Sequence, residues 1–257
     1  MSDWYDHPKY FEMMFSDETD AEVAFFEEAF ARFAKRPVAR LLEPGCGSGR
    51  LVVAMAARGF DVTGLDLNQQ MVDYMVHRLE DEGLVASAVR GDMTDMQFRK
   101  KFDAAFCTFN TFRHLTSEAD CIAHLRSVAK NVRSGGLYIL GFHIIPLDAE
   151  ESCIERIRST EGDLSVHTTL RVIDFNRAKR TEVLRVIVKA DKPDGSIDRV
   201  RAEFPLRLYT HQQAKSLLKK VGNVFDVVGV YDFDYDFDQP REIDDDLTDA
   251  VFVLRRK

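Results

Sequence analysis

The sequence predicts an α/β fold, a mostly parallel sheet flanked by helices, with an antiparallel β insert after the fifth strand. Three observations carry this. Strand-like and helix-like runs alternate between residues 38 and 143, a rhythm that implies parallel strands joined by right-handed crossovers. The stretch LLEPGCGSGR, residues 41–50, puts three glycines between the first strand and its helix, where open α/β sheets place ligand loops. Beyond residue 164 the rhythm changes to consecutive strands separated by turns.

Each element has its own signal. Pro8 behind Asp6 and His7 marks a helix start, with Tyr10, Phe11 and Met14 on one face. Thr19 and Glu22 have capping-box spacing, and Val23, Phe26, Phe30 and Phe33 form an apolar stripe that Pro37 ends. Strands follow at 38–42, 61–67, 85–91, 102–109 and 137–143. Helices lie at 50–58, from the Asn68 cap to 82, and at 118–133, with Ser134-Gly135-Gly136 as a turn. The insert reads as three strands, 164–175, 181–190 and 199–208, turning at 176–180 and 192–195. A helix at 210–221 and strands at 225–231 and 250–255 return to the main sheet. YDFDYDFD, residues 231–238, reads as a strand end with aromatic residues packed and acids solvated; a row of metal-binding carboxylates is the weaker alternative. The expected organisation is one domain, 1–257: an N-terminal helical lid (1–36), a core sheet (37–147 and 206–257) and the insert (148–205).

Composition narrows the partners. The 257 residues are 45% hydrophobic and carry a net charge of -8, enough for one sizeable core and unfavourable for a general grip on nucleic acid or an anionic membrane. The start, MSDWYDHPKY, lacks the basic and apolar regions of a signal peptide. No run approaches the ~20 apolar residues of a membrane span. Cys46, Cys107, Cys121 and Cys153 are scattered with no CxxC pair, so reduced thiols, no metal site and a cytoplasmic location are expected. Oligomeric state is open, a homo-oligomer included.

The glycine loop does not fit a dinucleotide. That fingerprint is G-x-G-x-x-G/A, and counting from Gly45 puts Arg50 at its last position, counting from Gly47 puts Val52 there. No G-x-x-x-x-G-K-[ST] loop is present either. Glu43, two residues before the first glycine, would repel a diphosphate and attract an ammonium group. Asp66 ends the next strand, where an acid can accept both hydroxyls of a ribose. Asp92 follows the third strand and can accept from an exocyclic amine, with Met93 and Leu67 against a flat base. Ribose, adenine and an ammonium without phosphate describe S-adenosylmethionine.

In order, E-P-G-C-G-S-G, G-L-D-L, G-D-M and F-D-A-A-F resemble class I S-adenosylmethionine-dependent methyltransferases. The resemblance implies a Rossmann-like seven-stranded sheet with its last strand antiparallel, and S-adenosyl-L-methionine as cofactor. It implies a binding set of Glu43, Gly45, Cys46, Gly47, Gly49, Asp66, Leu67, Asp92, Met93 and Asn110, although Cys46 also reads as a small filler. The loop F-N-T-F-R-H-L, residues 109–115, resembles that of small-molecule N-methyltransferases acting on amino sugars, and the insert resembles that group and glycine N-methyltransferase-like enzymes. In that group a histidine here and an N-terminal tyrosine lie near the acceptor. His114 matches the first; Tyr10 or Tyr5 matches the second; His143 is another candidate base. Arg113 reads as a solvated loop residue. The expected activity is methyl transfer to a small-molecule amine or hydroxyl. An RNA or protein methyltransferase and a non-catalytic S-adenosylmethionine-binding subunit are the alternatives.

Overall fold

The computed structural model describes residues 4–15 and 19–257; residues 1–3 and 16–18 of the expected lid lie outside it. After a 3₁₀ turn at Trp4–Asp6 come α1 (Pro8–Phe15) and α2 (Thr19–Phe33). The core then runs β1 (Arg40–Pro44), α3 (Arg50–Ala57), β2 (Asp61–Asp66), α4 (Gln69–Asp81), β3 (Ser87–Arg90), β4 (Phe102–Cys107), α5 (Glu118–Asn131) and β5 (Val132–His143). The insert is β6 (Ile154–Glu161), β7 (Leu164–Asn176), β8 (Thr181–Asp191) and β9 (Ile197–Arg207), followed by α6 (His211–Lys220), β10 (Phe225–Tyr231) and β11 (Asp249–Arg256).

The main sheet has seven strands in the order β10-β11-β5-β4-β1-β2-β3. Only β11 is reversed, antiparallel to both β5 and β10. Strand order switches between β1 and β4, so the loops after these strands face one crevice. Alternation along the strands divides the core. Leu42, Phe102, Tyr138, Leu140 and Phe252 face the layer of α5 and α6. Leu41, Phe106, Leu137, Ile139 and Val253 face the layer of α2 and α3. Strands covered on both faces read as continuous apolar runs, which is why β1, β4 and β5 were legible.

The insert forms a separate four-stranded antiparallel sheet. The sequence pattern predicts three of its strands but not β6, whose IERIRSTE is almost wholly exposed and has no apolar face. It also started β5 too late: the expected turn at Ser134-Gly135-Gly136 lies within the strand, which begins at Val132 and makes an irregular register shift against β4. The aromatic–acidic stretch after Tyr231 is not a strand end but a run of turns. Phe233, Tyr235 and Phe237 pack against the α2 layer, while Asp232 and Asp236 accept backbone N–H groups two residues on.

Glu22 departs from the expected capping box. It is fully buried, and its carboxylate accepts from the Thr108 hydroxyl (2.7 Å) and the Tyr235 hydroxyl (3.1 Å) and pairs with Arg50. A charge in this apolar layer persists only with such partners. Here it joins α2, β4, α3 and the loop before β11. Glu22→Ala strands those partners and is expected to cost about 3 kcal/mol of stability, read from urea unfolding.

Candidate active site

The loop after β1 is shaped by three residues in left-handed backbone, Gly45, Gly47 and Gly49, with φ of 70°, 54° and 80°. The amides of Gly45 and Cys46 both donate to the Leu65 carbonyl (2.6 and 3.1 Å), and that of Gly47 donates to Asp66 Oδ2 (2.8 Å). The end of β2 therefore holds the loop open. A Cβ on Gly45 would overlap the Thr111 methyl and lie 3.7 Å from Met93 Sδ, so the loops after β1, β3 and β4 meet at this residue.

Glu43 closes the floor. It is 7% exposed, and its Oε2 has no partner among the described residues. Burial pushes its carboxyl well above the ordinary range, against the pull of the Arg50 guanidinium. Such a carboxyl gains from a cationic ligand. Asp66 is also raised by burial, countered by N–H groups of Asn68 and Gly47. Asn68 N–H donates to its Oδ1 (2.9 Å), and Asn68 itself caps α4 by accepting from Gln70 and Met71. Asp92 uses Oδ1 to accept from the Thr94 amide (2.8 Å) and hydroxyl (2.7 Å), leaving Oδ2 outside those bonds. Leu67, beside Asp66, is 67% exposed, apolar surface awaiting a cover. Cys46 is buried, with Sγ 3.8 Å from Met75 Sδ, and burial drives its thiol pKa well up; this is the filler the sequence allowed.

The loop after β4 supplies the opposite wall. Phe109 and Asn110 are consecutive left-handed non-glycine residues, φ 57° and 69°, strain that tends to mark functional positions. Asn110 Oδ1 accepts from the His143 amide (2.9 Å), so this side chain faces the end of β5. His114 ends a 3₁₀ turn, with its Nε2 3.0 Å from the Tyr5 hydroxyl and its ring 5.2 Å from that of Phe204. Tyr5, rather than Tyr10, stands at His114. Tyr10 turns to the insert and donates to Asp198 Oδ2 (2.6 Å), and burial, with Asp198 beside it, pushes its phenol up to about 12. His143 binds Asp249 through Nδ1, its ring 5.4 Å from that of Phe233. Arg113 is not solvated. It is 4% exposed, pairs with Glu182 and donates from Nε to the Arg207 carbonyl (2.8 Å), fastening the His114 turn to the insert.

Residues 4–15 cover the loop. Phe11 lies 3.1 Å from a Cβ placed on Gly47. Its ring continues to Phe15 (4.9 Å), Phe109 (5.2 Å) and Phe233 (5.5 Å), an aromatic wall along the crevice. Trp4, Tyr10 and Met13 pack on Val166, Val186, Val188, Ala190 and Val200 of the insert. Those partners lie more than 150 residues from α1, beyond the reach of any local sequence pattern. Asp249, Phe109 and Phe233 were missed as site residues; for Phe233 the signal was the aromatic spacing of 231–238, read only as packing, for Phe109 its place in the loop after β4, and for Asp249 there was none.

Residues 41–136 match a family model described as a methyltransferase domain. Glycine N-methyltransferase of Rattus norvegicus is 31% identical over 189 residues, 67% of this chain and 64% of that protein. A dTDP-3-amino-3,6-dideoxy-alpha-D-glucopyranose N,N-dimethyltransferase of Streptomyces fradiae is 24% identical over 194 residues, 76% of this chain and 73% of that one. Among solved structures, an S-adenosylmethionine-bound amino pentose methyltransferase from Micromonospora echinaspora shares the fold with a TM-score of 0.73 at 20% identity, covering 96% of this chain and 94% of that one. The chain spans about half the length of the first curated relatives it matches.

Gly45→Ala places a side chain in left-handed backbone against Thr111. It is expected to lower stability by about 2 kcal/mol and to abolish ligand binding at this loop, measured by thermal unfolding with and without ligand.

Proposed function

We infer that this chain, which carries a methyltransferase domain over residues 41–136, transfers a methyl group from S-adenosylmethionine to an amine of a small molecule. The observation that carries the reading is that the loop above the buried Glu43 meets, at Gly45 and Thr111, the 3₁₀ turn that ends in His114. On one side the buried, unpartnered Glu43 oxygen lies below a loop with no diphosphate geometry. On the other stands the His114–Tyr5 pair. The donor set fits the cofactor: Glu43 for the ammonium, Asp66 for the ribose hydroxyls, the outer oxygen of Asp92 for the 6-amino group, and Leu67 and Met93 against adenine. Glu43, Gly45 and Gly47 surround the methionine part, the glycines leaving room beside the loop for it.

The cofactor supplies a methyl group already activated on a sulfonium, so the protein needs chiefly alignment and a deprotonated nucleophile. The acceptor's ammonium gives a proton to the Tyr5 oxygen while the Tyr5 hydroxyl proton passes to His114 Nε2. The freed amine could then take the methyl group that the sulfonium of bound S-adenosylmethionine would supply, and the His114 imidazolium releases its proton to solvent. Phe11, Phe15 and Phe109 exclude water from the crevice, and the segment up to residue 15 serves as the lid. The curated relatives that act on amino sugars and on glycine favour nitrogen over oxygen. Four unpaired cysteines agree with a reducing, cytoplasmic setting. No helix among the described residues is long and apolar enough to cross a membrane.

A screen of amines, hydroxyl compounds, RNA and peptides that reads S-adenosylhomocysteine release tests this. Turnover on a small amine supports it; turnover on RNA or peptide alone, or on nothing despite cofactor binding, replaces it with one of the alternatives. His114→Ala is expected to lower turnover roughly 10²-fold, and Tyr5→Phe roughly tenfold, at unchanged cofactor affinity, with the residual rate rising with pH. Tyr10→Phe is expected to leave turnover unchanged.

A second expectation follows from Glu43. Burial raises its pKa, so below that pKa the free protein holds a proton there that a docking ammonium would displace. Binding then releases protons and tightens as pH rises through that pKa. Calorimetry in buffers of different ionisation enthalpy reads the release, and Glu43→Gln removes it.

A further inference from the structure

Residues 91–101, between β3 and β4, belong to no strand or helix, yet they carry Asp92 and Met93. Backbone groups left out of a sheet need other partners. They find them on one face of α5. His124 Nδ1 bonds the Met93 carbonyl (3.1 Å); Ser127 Oγ accepts from the Met96 amide (2.8 Å); Asn131 donates to the Met96 carbonyl (2.9 Å) and accepts from the Phe98 amide (3.2 Å). The three positions fall at i, i+3 and i+7, one face of a helix. All are buried, His124 completely.

The chemistry at His124 has one solution. A carbonyl only accepts, so Nδ1 carries the proton. Burial holds the ring's pKa down to about 4, so the neutral Nε2 accepts from the Tyr138 hydroxyl of β5, 2.6 Å away. Tyr138 in turn lies against the Cys107 thiol of β4, which burial raises to about 12 and keeps protonated. The loop is thus tied by a chain of fixed polarity to the centre of the sheet.

We propose that His124, with Ser127 and Asn131, forms a ladder of positioning residues that sets the 92–93 loop for recognition of the adenine 6-amino group and so determines the base specificity of the cofactor site. The ladder touches no cofactor atom and acts through Met93 and Asp92. The inference rests on the cofactor reading above. Its logic is that Asp92, bent back onto Thr94, has one outer oxygen to offer, and an acceptor of fixed position favours an amine over a carbonyl at the same ring position.

The test compares affinities for S-adenosylhomocysteine, S-inosylhomocysteine, which has oxygen in place of the 6-amino group, and S-ribosylhomocysteine, which has no base. Wild type is expected to prefer adenine over hypoxanthine on the order of 10²-fold. His124→Leu is expected to reduce that preference to less than about tenfold and leave affinity for S-ribosylhomocysteine unchanged. His124→Asn keeps an N–H where Nδ1 stands and restores the preference. Ser127→Ala removes one rung with little change in volume and gives a smaller loss in the same direction; it decides the matter if His124→Leu does not fold. Full preference in these variants, with only the melting temperature lowered, overturns the proposal. Failure of wild type to bind either nucleoside overturns the cofactor reading on which it rests.

Discussion

A buried carboxylate governs how this molecule is assembled. Glu22 has no exposed surface and cannot stay charged in an apolar layer unless other groups come to it. Thr108, Tyr235 and Arg50 do so. These bring α2 against the end of β4, lay the aromatic turns after β10 over α2, and draw the first turn of α3 to the same point. The crevice at the strand switch thereby gains a roof. Two of these contacts adjoin the glycine loop and the loop after β4: Thr108 precedes Phe109 and Asn110, Arg50 follows Gly49, and Arg50 is also the cation that moderates Glu43.

Two half-sites with different physics share that roof. The loop after β1 is built from backbone: loop amides on the Leu65 carbonyl, a carboxylate held by amides, and the buried Glu43, one of whose oxygens has no partner among the described residues. Such a half-site is rigid and demanding of its ligand's charge. The acceptor half is built from side chains on segments distant in sequence: Tyr5 from the N-terminus, His114 after β4, Phe204 from the insert and Phe233 before β11. Arg113, buried with Glu182, locks the His114 turn to the insert. The N-terminal segment reaches both sides, with Tyr5 at His114 and Phe11 over Gly47.

This division explains what the sequence disclosed. The strands buried on both faces, the Asn68 cap and the glycine loop are local patterns that lie within about two residues of their predicted places, except that β5 begins five residues early at Val132. The seven-stranded order and the reversed β11 agree with the resemblance. The edge strand β6 was hidden because both its faces are wet. Glu22 was misread as a cap partner, and Arg113 as solvated, because their partners lie between 28 and 213 residues away. Tyr5 and Tyr10 were indistinguishable in sequence; only the closure of α1 against the insert separates the one at His114 from the one on Asp198.

The central claim is that the loop after β1 and the acid ending β2 bind the nucleoside of S-adenosylmethionine. Its most direct test is calorimetric titration of wild type and Asp66→Ala with S-adenosylhomocysteine. The account predicts one site per chain in wild type and a loss of about 2–3 kcal/mol in the variant, from a removed charge-assisted partner of the ribose. Equal affinity in the two proteins, or binding of NADH in place of S-adenosylhomocysteine, would contradict it.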